Sequence, residues 1–159
     1  MVFIIQSDDL QIDSKCIFSL NHQPKIRLKG FPTFYSKQGK YIYPVNLWMN
    51  YLINLKKSKN INSNVRSIKR YWNFLEENNF SWDVFPTDKL LKPTYRFRND
   101  NLLASIKRGE IEASTASLYM LHVIKFYEWA GHEQLIKFDK LSKPFDYEYL
   151  KISNQGGEF

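Results

Sequence analysis

The residues of this chain best suited to a chemical task are cations on helical spacing. Arg66, Lys69, Arg70 and Asn73 fall at i, i+3, i+4 and i+7, which predicts one side of a single helix. Three cations and an amide in that pattern suit the neutralisation of a polyanion, since Lys and Arg pair with phosphate oxygens. Lys56, Lys57 and Lys59 form a second group just upstream, and Lys107 and Arg108 a third. Ser63 and Asn64 stand where the basic helix begins, and Ser114, Thr115 and Ser117 where a later one begins. Helix starts expose backbone N–H groups that receive phosphate well. The candidate contacts are therefore Lys56, Lys57, Lys59, Ser63, Asn64, Arg66, Lys69, Arg70, Lys107, Arg108, Ser114, Thr115 and Ser117, with Arg66, Lys69 and Arg70 foremost. Phosphate contacts dominate this set, and Arg66, Arg70 and Ser117 are the candidates for reading bases. The plain alternative for each is an exposed surface position, and for Ser114 and Thr115 an ordinary helix cap.

The charge distribution points the same way. The net charge is +7; between Lys56 and Arg108 lie 12 Lys and Arg against 5 Asp and Glu, and the remainder carries 11 of each. The whole excess thus falls in one third of the chain, as expected of a nucleic-acid binder, or of a basic face that only aids solubility. Other chemistries lack their residues. Cys16 is the single cysteine, and His22, His122 and His132 are too far apart for a metal pair. No HExxH, GxxxxGK or GxGxxG occurs. Adjacent carboxylates such as Asp8–Asp9 and Glu76–Glu77 do not face one way on a helix. The closing GGEF matches part of a diguanylate cyclase signature with no domain around it, and is read as chance. There is no apolar run of membrane-spanning length, and MVFII is too short for a signal peptide. The expectation is a cytoplasmic protein with no cofactor, metal, small-molecule substrate or membrane partner.

The elements that must position these cations are mainly helical. Residues 1–43 read as extended: VFIIQ, CIFSL and KIRL are short apolar runs, and FPTFY and KYIYP flank SKQG as a hairpin turning at Gly39. Pro44 opens a helix predicted over Val45–Lys57, with Val45, Trp48, Leu52 and Leu55 inward. A second helix, capped by Ser63 or Asn64, runs to Glu77–Asn79. It buries Val65, Ile68, Trp72 and Leu75, widened by Tyr71 and Phe74. A third lies within Thr94–Lys107, with Tyr95, Leu102, Leu103 and Ile106 inward, Arg96, Arg98, Lys107 and Arg108 outside, and Gly109 as its stop. The fourth is ASTASLYMLHVIKFYEWAG, capped by a hydroxyl in 113–115 and closed by Gly131. Its stripe of Ala116, Tyr119, Val123, Tyr127 and Ala130 is broadened by Met120, Leu121, Ile124, Phe126 and Trp129. A helix apolar nearly all round belongs in the middle of a bundle. Residues 135–159 lose the helical period. The organisation is thus an extended hairpin region at 1–43, a helical domain at 44–134 and a linker at 135–159.

The order of a helix, a capped basic helix, RNDNLLASIKRGEI and then ASTASLYMLHVIKFYEWAG resembles the N-terminal core-binding domain of tyrosine recombinases, the phage-type integrases. Ser114-Thr115, Tyr119-Met120-Leu121 and Phe126-Tyr127-Glu128-Trp129 carry the likeness, which spans about residues 44 to 131. The resemblance implies a four-helix SAM-like orthogonal bundle that closes on duplex DNA together with a catalytic domain, and further subunits of the same recombinase as partners. That family cleaves DNA with an Arg, a Lys, an HxxR, a second His or Trp and a nucleophilic Tyr. Here the residues three places after His22, His122 and His132 are Lys25, Lys125 and Leu135. The implication is a non-catalytic part of such an enzyme, with no catalytic residue assigned and Tyr147 and Tyr149 in a linker. Two other readings stand beside it. One is a protein-interaction module using Trp82, Phe85 and Tyr95 as an exposed aromatic patch. The other is a stand-alone helix-turn-helix regulator with GEIEAS as the turn.

Overall fold

A computed structural model gives the fold and describes residues 1–6, 30–137 and 142–146. The expected runs CIFSL and KIRL, and the final stretch 147–159 with Tyr147 and Tyr149, lie outside the described residues. Among the described residues the protein is mainly helical, with four helices and a two-stranded antiparallel sheet at its N-terminal end. Two compact units divide between Lys59 and Asn60. The boundary expected at 43/44 therefore falls inside the first of them.

In the first unit, β1 (Phe3–Gln6) pairs with β2 (Pro32–Tyr35) in the register Phe3↔Tyr35 to Gln6↔Pro32. The hairpin expected around SKQG is only partly realised. Its turn forms: Ser36 N–H donates to Lys40 O (2.8 Å), Ser36 Oγ accepts from Lys40 N–H (3.1 Å), and Gly39 takes a φ of 76° that suits a residue without Cβ. The returning arm contributes one bridge, Tyr35↔Tyr41, and one bond from Ile42 N–H to Phe34 O (3.0 Å), before the chain turns into a helix at Tyr43. The buried carboxamide of Asn46 completes that edge. Its Oδ1 accepts the Phe34 N–H (2.7 Å) and its Nδ2 donates to Phe34 O (3.0 Å). Sequence reading did not single out Asn46.

Helix α1 (Tyr43–Asn50) packs on β2 and continues through a stretch of i→i+5 turns, Tyr51–Leu55. Val45, Trp48, Met49 and Leu52 are buried, but Leu55 is 72% exposed. The expected inward position of Leu55 is corrected by the wide turns, which place more residues per turn and rotate the stripe out of phase.

In the second unit, α2 spans Asn62–Glu77. Helix α3 is one run of three segments, Pro93–Arg96, Phe97–Leu103 and Ala104–Lys107, the middle one again of i→i+5 type. Helix α4 spans Ala113–His132. The wide turns in α3 put Phe97 and Leu102, five apart, both at 0% exposure. Phe97 was absent from the expected stripe, whereas Leu103 and Ile106, which were in it, are only half-buried.

Three helix ends in this unit close alike. The second residue after the helix is left-handed (Asn79, Gly109, Gln134), and the next N–H reaches back to the carbonyl five residues earlier, as in Phe80→Leu75, Glu110→Ser105 and Leu135→Ala130. These are Schellman closures, and Gly109 serves as expected. Gly131 does not: it lies inside α4, and Gln134 takes the left-handed position. The expected caps are corrected too. Asn60 Oδ1 accepts the Asn62 N–H (2.9 Å), so α2 starts before Ser63 and Asn64. Glu112 stands at the α4 cap, one residue before Ala113.

The core of this unit is aromatic. Tyr127 Oη donates to Trp82 O (2.6 Å), so the 2.7 Å contact with Tyr71 has Tyr71 as donor. Trp72, Trp82, Phe126 and Phe85 pack around that pair with ring centroids 5.3–6.4 Å apart. Residues 142–146 are held on α3: Thr94 Oγ1 donates to Pro144 O (2.6 Å), and Tyr95 Oη accepts the Asp146 N–H (3.0 Å). The exposed patch expected of Trp82, Phe85 and Tyr95 does not exist: Phe85 and Tyr95 are buried and Trp82 is half-buried, because all three fill this core.

Helix α4 is not apolar all round in effect. Ser114, Leu118, Leu121, Lys125, Glu128 and His132 form one exposed stripe at alternating spacings of four and three. Leu121, expected inward, is 43% exposed on it.

Candidate nucleic-acid interface

On α2, Arg66 is exposed, Lys69 is half-buried, and Arg70 turns inward. Arg70 Nε donates to Asn101 Oδ1 (2.7 Å), its Nη2 donates to Ser105 Oγ (2.8 Å), and its guanidinium lies 5.4 Å from the centre of the Tyr119 ring. The four-residue row 66, 69, 70, 73 is thus not a single outward face: Arg70 joins α2 to α3 and α4. Among the described residues no carboxylate pairs with Arg66, Lys69 or Lys107.

The other candidates fall into four places. Lys56, Lys57 and Lys59 are exposed at the end of α1 in the first unit, where Lys57 takes a φ of 53° as the helix ends. Ser63 and Asn64 are half-buried in the first turn of α2, and Ser63 O accepts from Ser67 Oγ (2.7 Å). At the start of α4, Ser114 is exposed, Thr115 is half-buried, and the Ser117 Oγ is buried without a hydrogen-bond partner. The Glu112 carboxylate stands beside that same helix start, where an anion is favoured.

Lys107 and Arg108 end α3. Lys107 is exposed, and Arg108 grips Glu110 with Nε to Oε1 at 2.6 Å and Nη2 to Oε2 at 3.0 Å. The Arg108 bonds, then Ser105, push the Glu110 carboxyl down to about 2. Arg108 Nη2 also donates to Ser105 Oγ (3.2 Å). Two guanidiniums, Arg70 and Arg108, therefore converge on one buried hydroxyl. The sequence places both arginines among the candidate contacts but gives no such role to Asn101, Ser105, Glu110 or Tyr119. The shared turn in RNDNLLASIKRGE was the available signal, since Asn101, Ser105 and Arg108 repeat at helical spacing.

The remaining cations of α3 differ from expectation. Arg96 is half-buried, pairs with Asp100 and lies over Phe80. Arg98 is half-buried with an unpartnered Nε, and burial lowers its pKa.

On α4, His122 is buried. Its Nδ1 lies 2.7 Å from Ser67 Oγ. With the Ser67 proton directed to Ser63 O, the imidazole Nδ1–H becomes the donor. Burial lowers the His122 pKa first and Lys125 second, against the Ser63 carbonyl. The folded pKa thus lies below the ordinary value of 6.5. The sign follows: the unfolded chain takes the proton first, so the contribution is whole above 6.5 and is lost as pH falls below it through the folded pKa. Thermal melts of the parent should lose stability from pH 7 to 5, and His122→Gln should flatten that loss. Parallel pH profiles for the two proteins would refute it.

Among the described residues no cluster of His, Cys, Asp or Glu suits a metal ion, and no helix is long and apolar enough to cross a membrane. No family model matches the chain, and neither a curated protein nor a solved structure matches it.

Proposed function

We propose that this chain binds duplex DNA as the non-catalytic, core-binding part of a site-specific tyrosine recombinase, with the α2–α4 unit as part of a SAM-like bundle. The observation that carries the reading is the charge excess confined to residues 56–108, whose exposed members include Arg66 and Lys107, standing on an aromatic-cored unit with no carboxylate paired to either among the described residues. Phosphate oxygens are the natural counter-charge for cations that internal carboxylates leave free. The likeness of 113–129 to the last helix of that domain supports the recombinase assignment. In that reading strand cleavage belongs to residues this sequence lacks, because no HxxR occurs.

The test is a titration on duplex DNA at graded salt. With about five phosphates neutralised, log K should fall against log salt with a slope near −4 to −5. Arg66→Ala should weaken binding and flatten the slope by about one. No binding at low salt, or an Arg66→Ala protein indistinguishable from the parent, would overturn the proposal. The exposed Leu118 and Leu121 on α4 favour a second reading, a protein-interaction face. Association that survives high salt and ignores the cations would support that one instead.

A further inference from the structure

The Arg70–Ser105–Arg108 junction holds more than a surface ion pair. Gly109, at a φ of 71°, turns the chain back at the end of α3, and the Glu110 N–H bonds to Ser105 O (3.0 Å). This reversal brings the Glu110 carboxylate onto the guanidinium two residues before it, as a two-bond fork. A carboxylate held in that way occupies the same donors that a phosphate would take.

The two arginine Nη2 atoms lie 2.8 and 3.2 Å from one hydroxyl oxygen, so they are no more than about 6 Å apart. A single phosphate accepting charge-assisted bonds of about 2.8 Å spans that gap. Ser105 Oγ accepts from both arginines, which holds the guanidiniums in place. The fork is open to solvent, with the Arg108 and Glu110 side chains 57% and 51% exposed.

We propose that Arg70, Ser105 and Arg108 form a binding site for one backbone phosphate, and that Glu110 is its built-in competitor, displaced when DNA docks. This inference rests on the DNA-binding reading and adds a regulator to it. Glu110 suppresses non-specific binding: a docking phosphate must outcompete a carboxylate already in place, so only DNA held by the rest of the surface gains the contact. The device is not operated by protons near neutral pH, because Arg108 keeps Glu110 ionised far below that range.

The experiment compares the parent, Glu110→Gln, Glu77→Gln and the double variant Glu110→Gln/Arg108→Ala, each checked for an unchanged melting temperature, on a short duplex of arbitrary sequence. Glu77→Gln makes the same change in net charge at an exposed position at the end of α2 and serves as the control. Glu110→Gln should bind roughly fivefold tighter at low salt, with a salt slope steeper by about 0.9 from one added phosphate. Glu77→Gln should gain clearly less, and the double variant should lose the gain. Equal gains for Glu110→Gln and Glu77→Gln, or a gain that survives loss of Arg108, would overturn the competitor while leaving DNA binding intact. If neither the parent nor Glu110→Gln binds, the DNA reading falls and this inference with it.

Discussion

Phe97→Ala should lower the stability of the protein by about 3–5 kcal/mol, the cost of emptying a fully buried phenyl site that cannot collapse. The ring has no exposed surface and lies 5.0 Å from Tyr71 and 5.5 Å from Phe74, centroid to centroid. It therefore joins α3 to the aromatic face of α2. The informative partner experiment is Leu55→Ala. The periodic stripe places Leu55 inside, whereas the structure leaves it 72% exposed, so its loss should fall within about 0.5 kcal/mol. Urea or thermal unfolding measures both. A large effect at Leu55 with a small one at Phe97 would show that the wide-turn segments of α1 and α3 are wrongly phased.

The second large effect is expected at Arg70. Arg70→Ala removes two hydrogen bonds from a charged group and a contact with the Tyr119 ring, and leaves Asn101 Oδ1 and Ser105 short of donors. A loss of about 2 kcal/mol in folding stability is the expected result. Arg70→Lys should recover little, since one ammonium cannot reproduce a fork aimed at two acceptors. Arg66→Ala, four residues earlier on the same helix but exposed, should stay within about 0.5 kcal/mol. Weakened DNA binding in Arg70→Ala would thus mix folding with recognition, whereas Arg66→Ala reports recognition alone. An Arg70→Ala protein that melts like the parent would show that its bonds to α3 do not form.

The helices were legible because their amphipathic periods are long and clean: Ile68, Trp72 and Leu75 on α2, and Val123, Tyr127 and Ala130 on α4, are buried where a 3.6-residue period puts them. What failed did so for local reasons. Phe97 and Leu55 were misplaced because i→i+5 turns break the period that the inference assumes. Gly131 was taken for the end of α4, yet Gln134 accepts the left-handed conformation there. Side chains with two plausible fates were the hardest. Arg70 reads as a surface cation until a partner across 31 residues is known, and the buried place of His122 shows only once Ser67, 55 residues away, is set beside it. For Glu110 the sequence offers only the stop at Gly109, and the fork depends on where the reversal there sends its carboxylate. The candidate site was therefore half visible: its cations could be read off the chain, but not the groups that aim or neutralise them.

The carboxamide of Asn46 has a consequence for the protein's life at high concentration. The edge of a sheet is an invitation for neighbouring molecules to add a strand and grow into aggregates. With the Phe34 amide and carbonyl both occupied from within the same chain, that flank of β2 presents no free template, and self-association by strand addition is blocked there.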